Sequence, residues 1–224
     1  AVTYFDEYTI QKYAKIPNDD INETCVVLIL NQEAGYVKGV SHNGYIMAGD
    51  DISDITDYSK GGSVAMICRK LDDYSFVVAH EFGHGFAKLA DEYCVSYGFI
   101  EDWEKEYYKG RADNYGWWSN IDFTDSKETV KWRKFLNDDR YLGTDIGIYE
   151  GATYSFGCWK PSQHSIMNND ADGMFNAPSR EAIYKRIHRL AFGKDWQYDY
   201  EKFVEYDQKN IAAEKATAAS VINR

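Results

Sequence analysis

The residues best suited to chemistry in this sequence are five in a row, His80-Glu81-Phe82-Gly83-His84. Four residues make about one turn of an α-helix, so two histidines at this spacing project from the same helix face. Both imidazoles can then bind one metal ion, and a glutamate beside the first can take a proton from a water on that metal. The pattern predicts a Zn²⁺ site with His80 and His84 as ligands and Glu81 as the catalytic base.

A hydrolytic zinc keeps three protein ligands and an open fourth position, so a third ligand is required. Asp91 lies seven residues after His84. On a continuous helix it would sit about 10 Å further along the axis. It can therefore bind only if the helix ends after about Lys88 and the chain turns back. Glu104 is the alternative third ligand. Its spacing from His84 resembles that in thermolysin-type zinc peptidases, although its charged segment is also typical of a solvated helix face. The residues alone leave both candidates open.

The elements that must position these side chains form a mixed α/β pattern, of α+β type. Apolar residues at helical spacing predict a helix from Phe76 to about Lys88. Cys25–Leu30 and Ser63–Cys68 are short β-branched apolar runs that predict buried strands. Pro178 opens an amphipathic helix that runs to about Phe192 and is stopped by Gly193. The remaining predictions are short strands within 35–49, helices over 101–108 and 127–136, and an irregular segment over 143–157.

The domain prediction is a single catalytic domain over residues 1–224. Its upper part, with the sheet and the active-site helix, spans about 21–90, and a more irregular lower part spans about 91–200. Residues 201–224 are expected to form a peripheral tail.

Composition excludes several classes of partner. The net charge of −11 argues against nucleic acid, which needs a basic face. There is no apolar run long enough to cross a membrane.

The four cysteines have no CxxC pair, so they indicate either two disulfides or four free thiols rather than a zinc-cysteine site. No EF-hand loop is present, and calcium is not predicted.

Ser165-Ile166-Met167 is similar to the methionine turn of metzincin proteases, in which the methionine packs beneath the two-histidine zinc site. The stretch from His80 to Tyr93, HEFGHGFAKLADEY, resembles the signature of the IgA-specific metallopeptidases of gut bacteria. Further segments resemble that family in the same order, and the recognisable region runs from about Tyr45 to Ile187. The order of histidines, aspartate and tyrosine is also similar to the self-cleaving chloride channel regulators.

This resemblance implies a zincin or metzincin-like domain: a twisted mixed sheet, an active-site helix, and a C-terminal helix after the turn at Met167. It implies Asp91 as the third zinc ligand. Many zincins also have a tyrosine that donates a hydrogen bond to the oxyanion, and Tyr149 and Tyr154 are the candidates for that role here. One departure concerns the helix bend, where metzincins have a glycine and this chain has Ala87-Lys88-Leu89.

The expected function is a zinc metalloendopeptidase acting on protein or peptide substrates, with host immunoglobulin or a mucosal glycoprotein as candidates. The resemblance implies a secreted, periplasmic or cell-surface location. Two alternatives stay open: a zinc-containing module that binds host proteins or glycans without turnover, and a self-processing metalloprotease. The sequence does not indicate an oligomeric state.

Overall fold

The computed structural model describes residues 7–16, 24–33, 38–43, 62–70, 72–170 and 173–222. These residues form an α+β architecture, as predicted. The helices are α1 (Glu7–Ala14), α2 (Tyr74–Ala87), α3 (Asp102–Tyr115), α4 (Arg133–Leu136), α5 (Ala177–Phe192) and α6 (Tyr200–Ile222). The strands are β1 (Cys25–Glu33), β2 (Gly39–Asn43), β3 (Ser63–Lys70), β4 (Cys94–Phe99) and β5 (Tyr149–Lys160).

Within the described ranges, the upper part contains a three-stranded mixed sheet with β3 in the centre. β1 pairs with β3 in parallel and β2 pairs with it antiparallel. Residues 63–68 of β3 are all buried, which explains the continuous apolar run in a strand covered on both faces. Both predicted strands are confirmed. β2 accounts for the described part of 35–49 and forms one edge of this sheet.

The helix α2 packs on β3 and β2 and confirms the strongest helix prediction. It ends at Lys88, which adopts the left-handed conformation at φ 56°. A glycine usually fills such a position because it has no Cβ. Here the Lys88 side chain is fully buried and its ammonium donates a hydrogen bond to the Gly85 carbonyl at 2.8 Å. The helix therefore ends where the predicted site requires, without glycine.

The lower part contains the largest departures from the sequence predictions. The segment 143–157 was predicted to be irregular, and this was wrong, because β5 runs from Tyr149 to Lys160 and pairs in parallel with β4. Gly151 and Gly157 have φ values of 98° and 78°, and the pairing register shifts between the two strands. The glycines thus mark irregularities within a strand rather than the absence of one.

The helix predicted over 127–136 is confirmed only at its end, as α4, and turns precede it. The helix predicted over 101–108 forms but continues to Tyr115. α5 begins at Ala177, with Asn176 as its N-cap, and ends at Gly193 as predicted.

The core of the lower part lies between α4, α5 and α6. The segment predicted as a peripheral tail contributes Phe203 and Val204 to this core, so its first turns are not peripheral. The proposed division of the domain otherwise stays a prediction. The four cysteines are free thiols, two of them buried, Cys68 and Cys158. None of the described helices is long and apolar enough to cross a membrane.

Candidate metal centre

Three side chains predicted to be ligands converge at the end of α2. His80 Nε2 and His84 Nε2 lie 3.1 Å apart. Asp91 Oδ1 lies 3.2 Å from the first nitrogen and 3.1 Å from the second. A tetrahedral zinc with bonds of about 2.0–2.1 Å separates its ligand atoms by about 3.3 Å. The spacing of the three atoms therefore fits one zinc ion.

The remaining ring nitrogens are held by main-chain carbonyls. His80 Nδ1 donates to the Ile166 carbonyl at 2.9 Å, and His84 Nδ1 donates to the Leu89 carbonyl at 2.7 Å. A proton on Nδ1 leaves the lone pair of Nε2 directed at the common centre. Partners of this kind fix the ring orientation and the tautomer of metal-binding histidines.

Asp91 reaches the histidines because the chain turns back after Lys88. The amide and carbonyl of Ala90 bond the side chain of Asn120 at 2.8 and 2.9 Å. Thr153 donates from its hydroxyl to the Asp91 carbonyl at 2.9 Å. Asn120 is buried and was not singled out in the sequence, where an isolated asparagine carries no spacing signal.

The rival ligand Glu104 is engaged elsewhere. It lies in the first turn of α3, and its carboxylate accepts a hydrogen bond from the Tyr154 hydroxyl at 2.6 Å. Among the described residues, the acidic and histidine side chains that could hold one metal together near α2 are His80, His84 and Asp91.

Charges within the triad are strongly coupled. Burial disfavours the charged form of His84, but the Asp91 carboxylate, Glu81 and the Leu89 carbonyl outweigh it and raise the pKa of His84 to about 9. Burial also opposes ionisation of Asp91, yet the hydrogen bonds from both histidines lower its pKa. Near neutral pH, these shifts favour a protonated His84 beside an ionised Asp91.

Glu81 lies beside this triad and is 6% exposed. Burial raises its pKa, and the coulombic effects of His84 and His80 act in the opposite direction. A Cβ built on Gly39 of the edge strand would lie 2.7 Å from Glu81 Oε1. The carboxyl group is thus held between the edge strand and the three converging side chains, where it can take up and return a proton.

Met167 is fully buried on the other side of α2. A Cβ on Gly83 would approach its sulfur to 2.8 Å, so the methionine lies directly against the turn of helix between the two histidines. This is the packing expected of a methionine turn, and Ile166–Asn168 forms a single 3-10 turn.

A cleft of about 330 Å³ opens onto these groups. Its walls include the edge strand at Gly39–Ser41 and the rings of Tyr93, Tyr108 and Trp118. Tyr149 and Tyr154 do not line it. The Tyr149 hydroxyl lies 3.3 Å from Asp145, and the Tyr154 hydroxyl is engaged by Glu104. Their role as oxyanion donors stays a prediction.

Comparison with known proteins agrees with this geometry. Residues 60–145 match the model of the family IgA Peptidase M64, and this segment contains both histidines, Glu81 and Asp91. A search of curated proteins found no match. The resemblance drawn from the sequence is thus confirmed over this segment: the part of the chain that carries the converging groups is similar to the family IgA Peptidase M64, a family of peptidases.

Proposed function

We propose that this protein is a zinc-dependent endopeptidase. The observation that supports the proposal most directly is the convergence of two imidazole nitrogens and a carboxylate oxygen at 3.1–3.2 Å, beside the buried Glu81. His80 and His84 would hold the metal through Nε2, and Asp91 would hold it through Oδ1. Three such ligands leave a fourth position for water or substrate.

A zinc ion held by these residues would supply a Lewis acid and would lower the pKa of the attacking water to about 7. Glu81 takes the proton of the attacking water as the water oxygen bonds to the carbonyl carbon. The carbon–nitrogen bond then breaks, and Glu81 delivers the proton to the leaving nitrogen. Its raised pKa suits both tasks, because the carboxyl group must hold the proton between the two steps.

The substrate class proposed is an extended segment of a protein. β2 lies at an edge of the upper sheet and forms one wall of the cleft. An extended peptide can add to such an edge through main-chain hydrogen bonds. The close approach of Gly39 to Glu81 would place the bound peptide beside the base. Host immunoglobulin or a mucosal glycoprotein, met in a secreted or cell-surface setting, is the proposal that follows from the resemblance.

A binding module without turnover is the alternative from a different class. A module of that kind has no use for a carboxyl group beside the metal, whereas Glu81 is buried there with a raised pKa. Self-processing is a second alternative, which a chelator-blocked change in the mass of the chain would reveal.

The test combines metal binding with turnover of a degenerate peptide library. We expect the wild-type protein to bind one zinc ion and to cleave peptides in a chelator-sensitive manner. Glu81→Ala should keep the zinc and lose about 10²–10⁴ in rate. Asp91→Asn should lose zinc affinity, and Glu104→Gln should not. Near-native turnover by the Glu81 variant would exclude Glu81 as the base.

A further inference from the structure

Glu92, the residue after Asp91, is a carboxylate with no exposed surface. Ser165 donates from its hydroxyl to Glu92 Oε2 at 2.5 Å. Asn120 donates from Nδ2 to Oε1 at 2.8 Å. Asn176 Nδ2 lies 2.8 and 2.9 Å from the two oxygens. Every side-chain partner in this set donates a hydrogen bond. The site therefore suits a carboxylate, which only accepts hydrogen bonds.

The main chain of Glu92 is held as firmly as its side chain. Its amide donates to the Met167 carbonyl at 2.7 Å. Its carbonyl accepts from Lys160 Nζ at 2.7 Å, and the same ammonium donates to Asn168. Glu92 therefore joins the loop that carries Asp91 to the methionine turn and to the end of β5.

The methionine turn also holds one of the histidines, because the Ile166 carbonyl accepts from His80 Nδ1. One three-residue turn is thus bonded to His80 on one side and to Glu92 on the other. Consecutive Cα atoms are about 3.8 Å apart, so a displaced Glu92 must displace its neighbour Asp91. Asn120 strengthens this link, since it bonds both Glu92 and the main chain of Ala90.

We propose that Glu92 is a positioning residue: by bonding the methionine turn, it sets the position of Asp91 relative to the two histidines and so sets the metal affinity of the triad. This inference rests on the proposed zinc site. It assigns no contact between Glu92 and metal or substrate, since all its oxygens are occupied by donors of this chain.

Glu92→Gln tests the proposal with little change of shape. One oxygen becomes an amide NH₂, which faces donors such as the Nδ2 groups of Asn120 and Asn176. The measurement is the Kd for Zn²⁺ by chelator competition, made at low temperature on protein whose circular dichroism matches wild type. We expect a loss of about ten- to hundredfold, the range seen when partners of metal ligands are removed. The visible spectrum of the Co²⁺-substituted protein should also change, because it reports ligand geometry.

Asp207→Asn is the matched control. Asp207 is 2% exposed and bonded by Tyr141 and Arg180, so it is an equally buried carboxylate in a network that does not include the triad. It should lower the melting temperature yet leave both the Kd and the Co²⁺ spectrum unchanged. A purely structural role for Glu92 predicts the same behaviour for Glu92→Gln, and that result would overturn the proposal.

Ser165→Ala covers the case in which Glu92→Gln does not fold. It removes one of the donors to Glu92 and should weaken Zn²⁺ binding in the same direction by a smaller factor. A wild-type affinity in this folded variant would count against the proposal. Absence of Zn²⁺ binding by the wild-type protein would instead refute the proposed function, so the two failures are distinguishable.

Discussion

Gly39 on the edge strand offers a direct test of the position assigned to Glu81. A Cβ at this residue would lie 2.7 Å from Oε1 and 2.8 Å from Cγ of Glu81, and 2.9 Å from Cγ1 of Val77. Ordinary contacts begin at 3.4 Å, so either the carboxyl group or the strand must move by about 0.7 Å. Gly39→Ala therefore displaces Glu81, the proposed base, or the wall of the cleft, while leaving the three proposed ligands untouched.

The expected size of the effect follows from this displacement. A shift of about 1 Å in a reacting group can cost about 10²-fold in rate, so we expect kcat/KM to fall about ten- to hundredfold. Overpacking at such a position costs about 1–3 kcal/mol of folding free energy. In a domain of this size that corresponds to a decrease in Tm of about 2–12 °C. The Kd for Zn²⁺ should stay at the wild-type value.

The assay is cleavage of a fluorogenic peptide selected from the library, with Tm and Zn²⁺ affinity measured on the same preparation. Gly110→Ala is the control, because a Cβ at this position in α3 meets no atom within 4 Å. It should raise the stability by up to about 1 kcal/mol and leave the rate unchanged. Wild-type kcat/KM in Gly39→Ala would refute the reasoning that places the edge strand against the base.

Two further predictions concern the triad and the end of its helix. The raised pKa of His84, about 9, means that Zn²⁺ must displace a proton, so affinity should fall about tenfold per pH unit as pH is lowered from 9 to 6.5. Calorimetry in buffers of different ionisation enthalpy should detect about one proton released, and a pH-independent Kd would contradict the assignment. Lys88→Ala and Lys88→Gly should both be less stable than wild type, because both remove the buried ammonium that caps Gly85. Lys88→Gly should be the more stable of the two by about 1 kcal/mol in chemical denaturation, since glycine adopts positive φ without strain, and equal stabilities would show that this backbone strain is negligible.

The active-site helix and the order of its side chains could be predicted because they depend on local periodicity. Apolar residues at helical spacing define α2, and the two histidines share a face by the geometry of any helix. The proposed third ligand, Asp91, could not be derived in this way. Its position depends on where the helix ends. The helix ends at Lys88, which adopts a left-handed backbone conformation and has a buried side-chain hydrogen bond. Lysine has no particular propensity for that conformation, so the sequence does not signal the end of the helix there.

The lower part was predicted less well because its strands lack a clean pattern. β4 is largely exposed, so it has no alternation of apolar and polar residues. β5 contains Gly151 and Gly157, which suggested loop structure. The partners of Glu92 are spread from Asn120 to Asn176, and no sequence spacing brings them together. Long-range pairing of this kind is decided by tertiary structure rather than by local sequence.

The hydrogen bond from His80 to Ile166 joins residues 86 positions apart. Residues 60–145, the segment recognised by family comparison, contain all three metal-binding candidates but neither Ile166 nor Asn176. A nascent chain that has emerged only this far has the three candidate ligands and the Leu89 contact of His84, but it lacks the Ile166 contact of His80 and the Thr153 contact of Asp91. Competence to bind metal would thus be acquired late in synthesis, after β5 and the start of α5 have docked.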